Sequence, residues 1–303
     1  MPDSPRAMNG TEWGLLVLLS VLWGGAFFFA GVAVREVPPL TVVLVRVGLA
    51  AVLLLPVFWF YGHRLPRTLA GWMPFFVMGL LNNVLPFGLL FAAQTQITVG
   101  LTSIINAMTP LFTVLVMAAF GAERLTGNRI AGILLGVIGV AVLRGFDGHF
   151  DPAQTLGLGL GLLATLSYGF AALWGRRHLA GVAPLKSATC QLLCSTAVML
   201  VVVALVDAPW RLAMPSLPVW LSLGALALFG TAVAYIVFFE ILVRAGASNV
   251  MLVTLLIPVS GLLLGHAFLD EAIHLREVAG AAIIGLGLLA IDGRVLRWVR
   301  RLR

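Results

Sequence analysis

The chain of 303 residues is 61% hydrophobic and only 10% charged, whereas soluble domains carry about 25% charged residues. This composition excludes an ordinary water-soluble fold and predicts an integral membrane protein. The formal net charge of +7 does not indicate nucleic acid as a partner, because 18 of the 19 basic residues fall between, beyond or at the ends of the apolar runs, where they favour topology control and contacts with membrane lipids.

Ten apolar runs follow one another along the chain. They are continuous stretches without the period-two alternation of a transmembrane β-barrel. Because lipid offers the backbone no hydrogen-bond partners, we expect α-helices, each needing about 20 residues to span the bilayer. The candidate spans are 13–33, 40–61, 71–92, 99–120, 129–145, 157–175, 186–206, 217–241, 248–269 and 276–293.

The first two spans carry two aromatic candidates and a charge. Trp23 and Phe27 lie one turn apart, where they can stack on a flat apolar substrate. Arg46 lies inside the second span, near its outer side, and an ionisable group within the bilayer is costly enough to be a functional candidate. It is expected either to attract a substrate carboxylate at the outer mouth, or to snorkel toward the headgroups or pair with Glu36.

The third and fourth spans combine amides with prolines. The segment MGLLNNVLPFGLL places Asn82 and Asn83 beside Pro86, and we expect one of these asparagines to line a cavity; interhelical hydrogen bonding is the alternative. In the fourth span Pro110 removes a backbone hydrogen bond and Asn106 precedes it by one turn. We expect this helix to bend at Pro110 and line the same cavity, unless the proline only lets the helix curve around its neighbours.

The last five spans hold the remaining candidates. Tyr168 and Tyr235 are aromatic groups expected to reach the same central cavity as Trp23. Glu240 lies four residues before Arg244, which predicts an intrahelical ion pair. The alternative role for Glu240 is recognition of an ammonium group entering from the cytoplasm.

An internal repeat relates the first five spans to the last five. An offset of 148 residues places Pro110 on Pro258 without a gap, and an offset of 145 places Trp23 on Tyr168. We therefore expect the ninth span to bend at Pro258 as the fourth does at Pro110. Chance matching of two Gly-rich apolar sequences is the alternative.

Three further pairs follow from the same offsets. Arg46 corresponds to Gln191 and Asn83 to Thr231, so the two halves carry unequal charge. Glu123 and Glu271 correspond as well, and we expect each to cap the following helix or hold the adjacent loop.

The repeat predicts an all-α integral membrane fold of ten transmembrane helices, arranged as two inverted-topology five-helix repeats. Residues 1–147 form the first repeat and 156–293 the second, followed by a basic tail, 294–303. Because five is odd, the second copy enters the membrane from the opposite face. Fourteen basic residues fall on the side of the termini and four on the other, which predicts that both termini are cytoplasmic.

Several chemical motifs are missing. The chain has no GxxxxGKS phosphate loop, so we expect no ATP and no other cofactor. It has no HExxH motif, and Cys190 and Cys194 do not have zinc-site spacing, so we expect no metal and no enzyme activity. It also lacks a TVGYG-like channel filter.

The chain resembles the drug/metabolite transporter superfamily, in its ten-helix EamA-type branch. The resemblance rests on the WGG element at Trp23, the Pro38-Pro39 pair followed by Arg46, and the repeated proline-glutamate pattern. Within that branch it is most similar to bacterial exporters of amino acids, including aromatic ones. This implies a secondary transporter of the bacterial inner membrane that works by alternating access on a small amphipathic substrate. The alternatives are a drug or nucleotide-sugar carrier of the same superfamily, or a membrane-embedded enzyme.

Overall fold

The computed structural model describes residues 8–145 and 151–292. The predicted tail 294–303 and the predicted boundary at residue 147 lie outside this part of the chain. Every regular element within it is helical. The helices are α1 (Gly10–Ala33), α2 (Pro39–Phe60), α3 (Leu69–Ala93), α4 (Val99–Ala119), α5 (Gly127–Arg144), α6 (Pro152–His178), α7 (Pro184–Val206), α8 (Leu217–Ala245), α9 (Val253–Leu269) and α10 (Leu275–Asp292).

The helices α1 to α8 are long and apolar enough to cross a membrane, and α9 is a shorter apolar helix. Large apolar side chains such as Leu134, Val201 and Leu205 are exposed on the outside of the bundle, where lipid would cover them. The chain is therefore a multi-pass, all-helical membrane protein, as the composition predicts.

The starts of several helices are fixed by side chains that accept hydrogen bonds from the first turn. Asn9 and Glu12 form a reciprocal capping box at the start of α1. At the start of α2, Asp207 accepts hydrogen bonds from the backbone N–H of Thr41 at 2.9 Å and from its hydroxyl at 2.7 Å. Asp207 follows α7, so this cap ties α2 to the other half of the chain.

The two offsets found in the sequence recur in the helix boundaries. The α5 and α10 helices begin at Gly127 and Leu275, 148 residues apart. Helices α3 and α8 each contain one π-helical turn, Leu80–Val84 and Leu228–Val233, again offset by 148 at their starts. Helices α2 and α7 begin 145 residues apart.

Helices α5 and α10 pack through glycines in antiparallel register. A Cβ at Gly132 would lie 2.6 Å from the carbonyl oxygen of Gly287, and one at Gly287 would lie 2.7 Å from that of Gly132. Gly139 and Gly280 make the matching pair, with both such distances at 3.0 Å. Only glycine permits this approach, and small residues commonly allow membrane helices to pack closely.

Pro110 and Pro258 do not behave alike. The α4 helix is interrupted at Ala107–Met108, and Pro110 occupies the first turn after the break, where its missing N–H costs no helical hydrogen bond. Pro258 lies inside α9, and the preceding break falls earlier, between the short helix Ala247–Val250 and the start of α9 at Val253. The break in this span therefore does not coincide with Pro258, and the bend expected at Pro258 stays a prediction.

Candidate functional site

Arg46 extends from α2 into the middle of the bundle. Its Nε donates a hydrogen bond to the Thr231 hydroxyl at 3.0 Å, and its Nη2 donates to the Gly230 carbonyl at 3.3 Å. Thr231 is the central residue of α8, so the guanidinium lies halfway along this helix, a position called mid-depth below, and not at either of its ends. Glu36 binds Ser216 instead, so neither snorkelling nor a pair with Glu36 describes Arg46; its long side chain reaches inward along the π-helical turn of α8.

Aromatic rings surround the Arg46 guanidinium. Its central carbon lies 3.7 Å from the centroid of the Phe87 ring and 5.7 Å from that of Phe91, both on α3. Tyr168 on α6 and Tyr235 on α8 pack against the same buried apolar cluster that contains Phe87 and Phe91. Both tyrosines are half-buried. The structure thus brings together three residues singled out in the sequence, Arg46, Tyr168 and Tyr235.

An amide cluster occupies the related position in the other half. The Asn82 side-chain amide donates to the Gln191 carbonyl oxygen Oε1 at 3.2 Å, and Asn83 donates to the Ser195 hydroxyl at 3.0 Å. Gln191 is the repeat counterpart of Arg46, and the α3–α7 contact therefore mirrors the α8–α2 contact made by Thr231 and Arg46. One pair carries a positive charge and the other does not.

The two asparagines differ in accessibility. Asn83 is fully buried and its Oδ1 has no hydrogen-bond partner, whereas Asn82 is half-buried. Both therefore make the interhelical hydrogen bonds named as the alternative for them. Asn82 is the one that keeps accessible surface.

The π-helical turn in α3 positions both asparagines. In this turn the Leu85 N–H donates to the Leu80 carbonyl oxygen, one residue further back than in an α-helix. Pro86 follows directly and has no N–H to offer a regular hydrogen bond. The Leu81 carbonyl oxygen accepts instead from the Ser167 hydroxyl of α6 at 2.8 Å. The wider turn, a feature frequent at functional sites, displaces Asn82 and Asn83 toward α7.

Trp23 and Phe27 on α1 flank the same region. The Trp23 ring lies 5.6 Å from the ring of Phe238 on α8. Phe27 is buried, and its carbonyl oxygen accepts a hydrogen bond from the Gln94 side chain at 2.9 Å. Trp23, Phe27, Tyr168 and Tyr235 all belong to, or pack against, one buried apolar cluster.

Other sequence candidates lie apart from Arg46. Glu240 forms the predicted ion pair with Arg244, and both side chains are about half exposed near the end of α8. Asn106 is half-buried at the end of the first segment of α4, where its carbonyl oxygen accepts from the Thr109 hydroxyl at 2.7 Å.

Glu123 and Glu271, which correspond in the repeat, contact different partners. Glu123 forms ion pairs with Arg129 at 2.7 Å and Arg176 at 3.4 Å. Glu271 accepts hydrogen bonds from the N–H groups of Val99 and Gly100 at 2.8 and 3.2 Å. It therefore caps α4, and the expectation that it caps the helix following it is wrong, because the start of α4 lies against the end of α9.

A cavity of about 260 Å³ lies beside the Glu271 cap. Arg35, Gln94 and Glu271 are among its lining residues, and the Gln94 Oε1 has no hydrogen-bond partner. This cavity adjoins the ends of α1, α3 and α9. The described residues contain no group of three or more His, Cys, Asp or Glu side chains that could hold a metal ion.

Sequence reasoning missed two residues. Phe87 stacks on the Arg46 guanidinium, and Gln94 lines the cavity beside Glu271. The stretch LPFGLL, 85–90, is apolar throughout, so nothing in it marks Phe87 as the ring on which a charge stacks. Gln94 is polar and lies at the end of a span, the usual place for such a residue. Gln191 and Thr231 could be found, since the repeat offsets place them opposite Arg46 and Asn83.

Comparisons with known proteins identify a transporter family and transporter relatives. The model of the EamA-like transporter family matches the chain twice, over residues 12–145 and 155–291. The "Uncharacterized inner membrane transporter YedA" of Escherichia coli K12 is 26% identical over 280 residues, which cover 92% of this chain and 90% of that protein. The "Probable amino-acid metabolite efflux pump" of the same strain is 28% identical over 301 residues, covering 96% and 97%.

The fold also has a counterpart among solved structures. A crystal structure of a protein 20% identical in sequence superposes with a TM-score of 0.65, covering 97% of this chain and 100% of that one. At this level of identity the likeness concerns the fold alone.

Proposed function

The chain belongs to the EamA-like transporter family of the drug/metabolite transporter superfamily, and from this premise we propose that it exports amino acids, including aromatic ones, by alternating access. Members of the family are transporters, and one relative is named as a probable amino-acid metabolite efflux pump. The proposal covers small amphipathic metabolites as the wider substrate class, with no ATP and no cofactor. We place the protein in the bacterial inner membrane with both termini in the cytoplasm.

The observation that carries the proposal is the meeting of polar and aromatic side chains at mid-depth. Arg46 stacks on Phe87 in the first half, and Tyr168 and Tyr235 of the second half pack against the same apolar cluster as Phe87. Half-buried tyrosine rings can cover the flat apolar part of a substrate, while a small number of polar groups orient it.

Alternating access in this proposal rests on two inverted five-helix repeats. The family model matches each half once, the helix boundaries repeat at fixed offsets, and α5 and α10 cross in antiparallel register. Helix α1 packs on α8 and α9, and α6 packs on α3 and α4. A rocking motion of one half against the other would exchange these contacts while the central residues stay between them.

Uptake by reconstituted vesicles tests the proposal. Purified protein in liposomes, preloaded with unlabelled phenylalanine, should accumulate labelled phenylalanine by counterflow without chemical change. Conversion of phenylalanine into another compound would support the alternative of a membrane-embedded enzyme. Failure to exchange any amino acid, aromatic or not, would exclude the proposal.

Two substitutions connect the transport to the site. Tyr168→Ala and Asn82→Ala should each raise the apparent KM for phenylalanine. For Tyr168→Ala, which removes an aromatic contact, the increase should be up to about tenfold. Tyr61→Ala and Asn128→Ala are the matched controls, because both side chains are exposed at helix ends. Equal KM values in all four variants would remove these residues from the site and leave the family unaffected.

A further inference from the structure

The Arg46 charge has no acidic partner in the part of the chain that the structure describes. The ion pairs found there join Glu123 to Arg129 and Arg176, and Glu240 to Arg244. Every carboxylate in that part lies between helices or within about two turns of a helix end. The guanidinium, by contrast, lies beside the central residue of α8, so its positive charge is uncompensated at mid-depth.

The guanidinium also keeps hydrogen-bonding capacity. It has five N–H donors, and two of them are used, one to Thr231 and one to Gly230. The Nη1 amino group has no hydrogen bond to any described residue, yet it is not among the fully enclosed atoms that lack a partner. Arg46 retains 8% of its surface accessible, so this edge of the guanidinium is not fully enclosed by protein.

The neighbours that Arg46 does have cannot balance its charge. A hydroxyl and a carbonyl oxygen are neutral acceptors, and the Phe87 face adds a cation–π contact, which is weaker than a charged partner. Ionisable groups buried in membranes are normally paired or face a functional cavity. The second half carries neutral Gln191 at the equivalent position, so duplication of the helix does not require the charge.

We infer that Arg46 binds the carboxylate of the transported substrate, and that the substrates are therefore monocarboxylates with an apolar, preferably aromatic, body. Nη1 and the second N–H of Nη2 are donors on two different nitrogens, as a carboxylate requires for paired hydrogen bonds, and Tyr168 and Tyr235 pack against the same apolar cluster as Phe87. Because the described residues place no carboxylate at this depth to hold an ammonium group, the substrate's amine contributes less to binding than its carboxylate. The inference rests on the proposed function and narrows it.

A set of four phenylalanine analogues tests the inference on the wild-type protein. L-Phenylalanine and 3-phenylpropanoate carry a carboxylate, whereas L-phenylalaninamide and phenethylamine do not. Two readouts are used in parallel, inhibition of labelled phenylalanine counterflow and ligand-induced increase of the unfolding temperature, which needs no transport. We expect the two carboxylates to bind at least about thirtyfold more tightly than the two compounds without one, the effect of losing one partner of a buried charge pair.

The variant Arg46→Gln should abolish that preference. Glutamine already occupies the equivalent position in the other half, so the substitution is sterically modest, and Arg176→Gln, with a side chain 52% exposed, is the matched control. If Arg46→Gln does not fold, Arg46→Lys keeps the charge but not the paired donors and should show a reduced preference. An unchanged preference in a folded Arg46 variant, or equal binding of phenylalanine and its amide by the wild type, would overturn the inference.

The two readouts separate this inference from the proposed function. Counterflow that is insensitive to the carboxylate would leave amino-acid transport standing and refute the role of Arg46. Thermal stabilisation by the carboxylates alone, without counterflow, would support the role of Arg46 and refute amino-acid transport. No stabilisation and no counterflow with any of the four compounds would refute both.

Discussion

Glu271 shows how a single carboxylate can join distant parts of the chain. Its two oxygens accept hydrogen bonds from the Val99 and Gly100 N–H groups, which have no partner within α4 itself. A negative charge at this end of a helix is also favoured by the helix dipole. The contact fixes the end of α9 against the start of α4.

Removing this cap should destabilise the protein. We expect Glu271→Ala to lower the free energy of unfolding by about 1–2 kcal/mol, and Glu271→Gln by less, since an amide oxygen still accepts one hydrogen bond. Thermal unfolding in detergent measures both. Glu240→Ala is the control, because its ion pair is about half exposed and such pairs contribute little; an equal loss in the control would contradict the capping role of Glu271.

A second carboxylate, Glu36, gives a pH-dependent contact between the loops that precede α2 and α8. Hydrogen bonds from the backbone N–H and hydroxyl of Ser216 lower the pKa of Glu36 below its ordinary value. A lowered native pKa means that the contact stabilises the fold above the ordinary glutamate pKa, and that this stabilisation is lost as the pH falls through the lowered value.

The unfolding temperature of Glu36→Gln, measured as a function of pH, tests this contact. We expect the variant to unfold at a lower temperature than the wild type at neutral pH. The two curves should approach each other below the ordinary glutamate pKa and meet once the pH has fallen below the lowered native value. A difference that stays constant over the whole range would show that ionisation of Glu36 is not involved. Ser216→Ala should reproduce the neutral-pH loss.

At the scale of helices, the α5–α10 contact depends on the absence of side chains. A Cβ at Gly132 would lie 2.6 Å from a backbone carbonyl oxygen, which cannot move without shifting α10. We therefore expect Gly132→Ala to lower the free energy of unfolding by about 1–3 kcal/mol, as overpacking does in other cores.

The control for this prediction is Gly159→Ala on α6. No atom lies within 4 Å of the Cβ that this change would add, and alanine is the better helix former. The variant should be as stable as the wild type or more so, again by thermal unfolding. If both alanine variants behave alike, helix propensity and not close packing governs the α5–α10 contact.

The helix boundaries were largely readable from the sequence, whereas the breaks within helices were not. Charged residues, prolines and glycines separate the apolar runs, and the spans predicted from them lie close to the observed helices because lipid requires long, continuous apolar segments. Pro110 marks a real break, but Pro258 does not, since neighbouring helices decide whether a proline is accommodated. The π-helical turn at Leu228–Val233 contains no proline and has no local signal that could reveal it.

Membership of the central site stays a prediction, since the sequence leads us to expect Tyr168 and Tyr235 at a central cavity and Arg46 at the outer mouth. These residues could be selected by residue type. The depth of Arg46 could not, because it depends on how far a long side chain extends and on the partner it meets at Thr231. Phe87 could not be selected either, because a phenylalanine in an apolar run is normally a packing residue.

At the scale of the whole molecule, the two halves are connected throughout. Helices α1 and α6 each pack mainly on helices of the opposite half, and α2 packs on α7. The caps made by Asp207 on α2 and by Glu271 on α4 also cross between the halves. If the halves are inverted copies, equivalent loops must lie on opposite faces of the membrane.

Leu125 and Ile273 provide a direct test of that inversion. They lie 148 residues apart, in the connections after α4 and α9, and both are exposed. In a chain whose native Cys190 and Cys194 are replaced by serine, Leu125→Cys and Ile273→Cys can each be probed with a membrane-impermeant maleimide. The distribution of basic residues predicts that position 125 faces the cytoplasm, so it should react in inside-out vesicles, while position 273 should react in intact spheroplasts. Reaction of both positions from the same face would mean that the halves are parallel, and the exchange of contacts required for alternating access would then lack its symmetry.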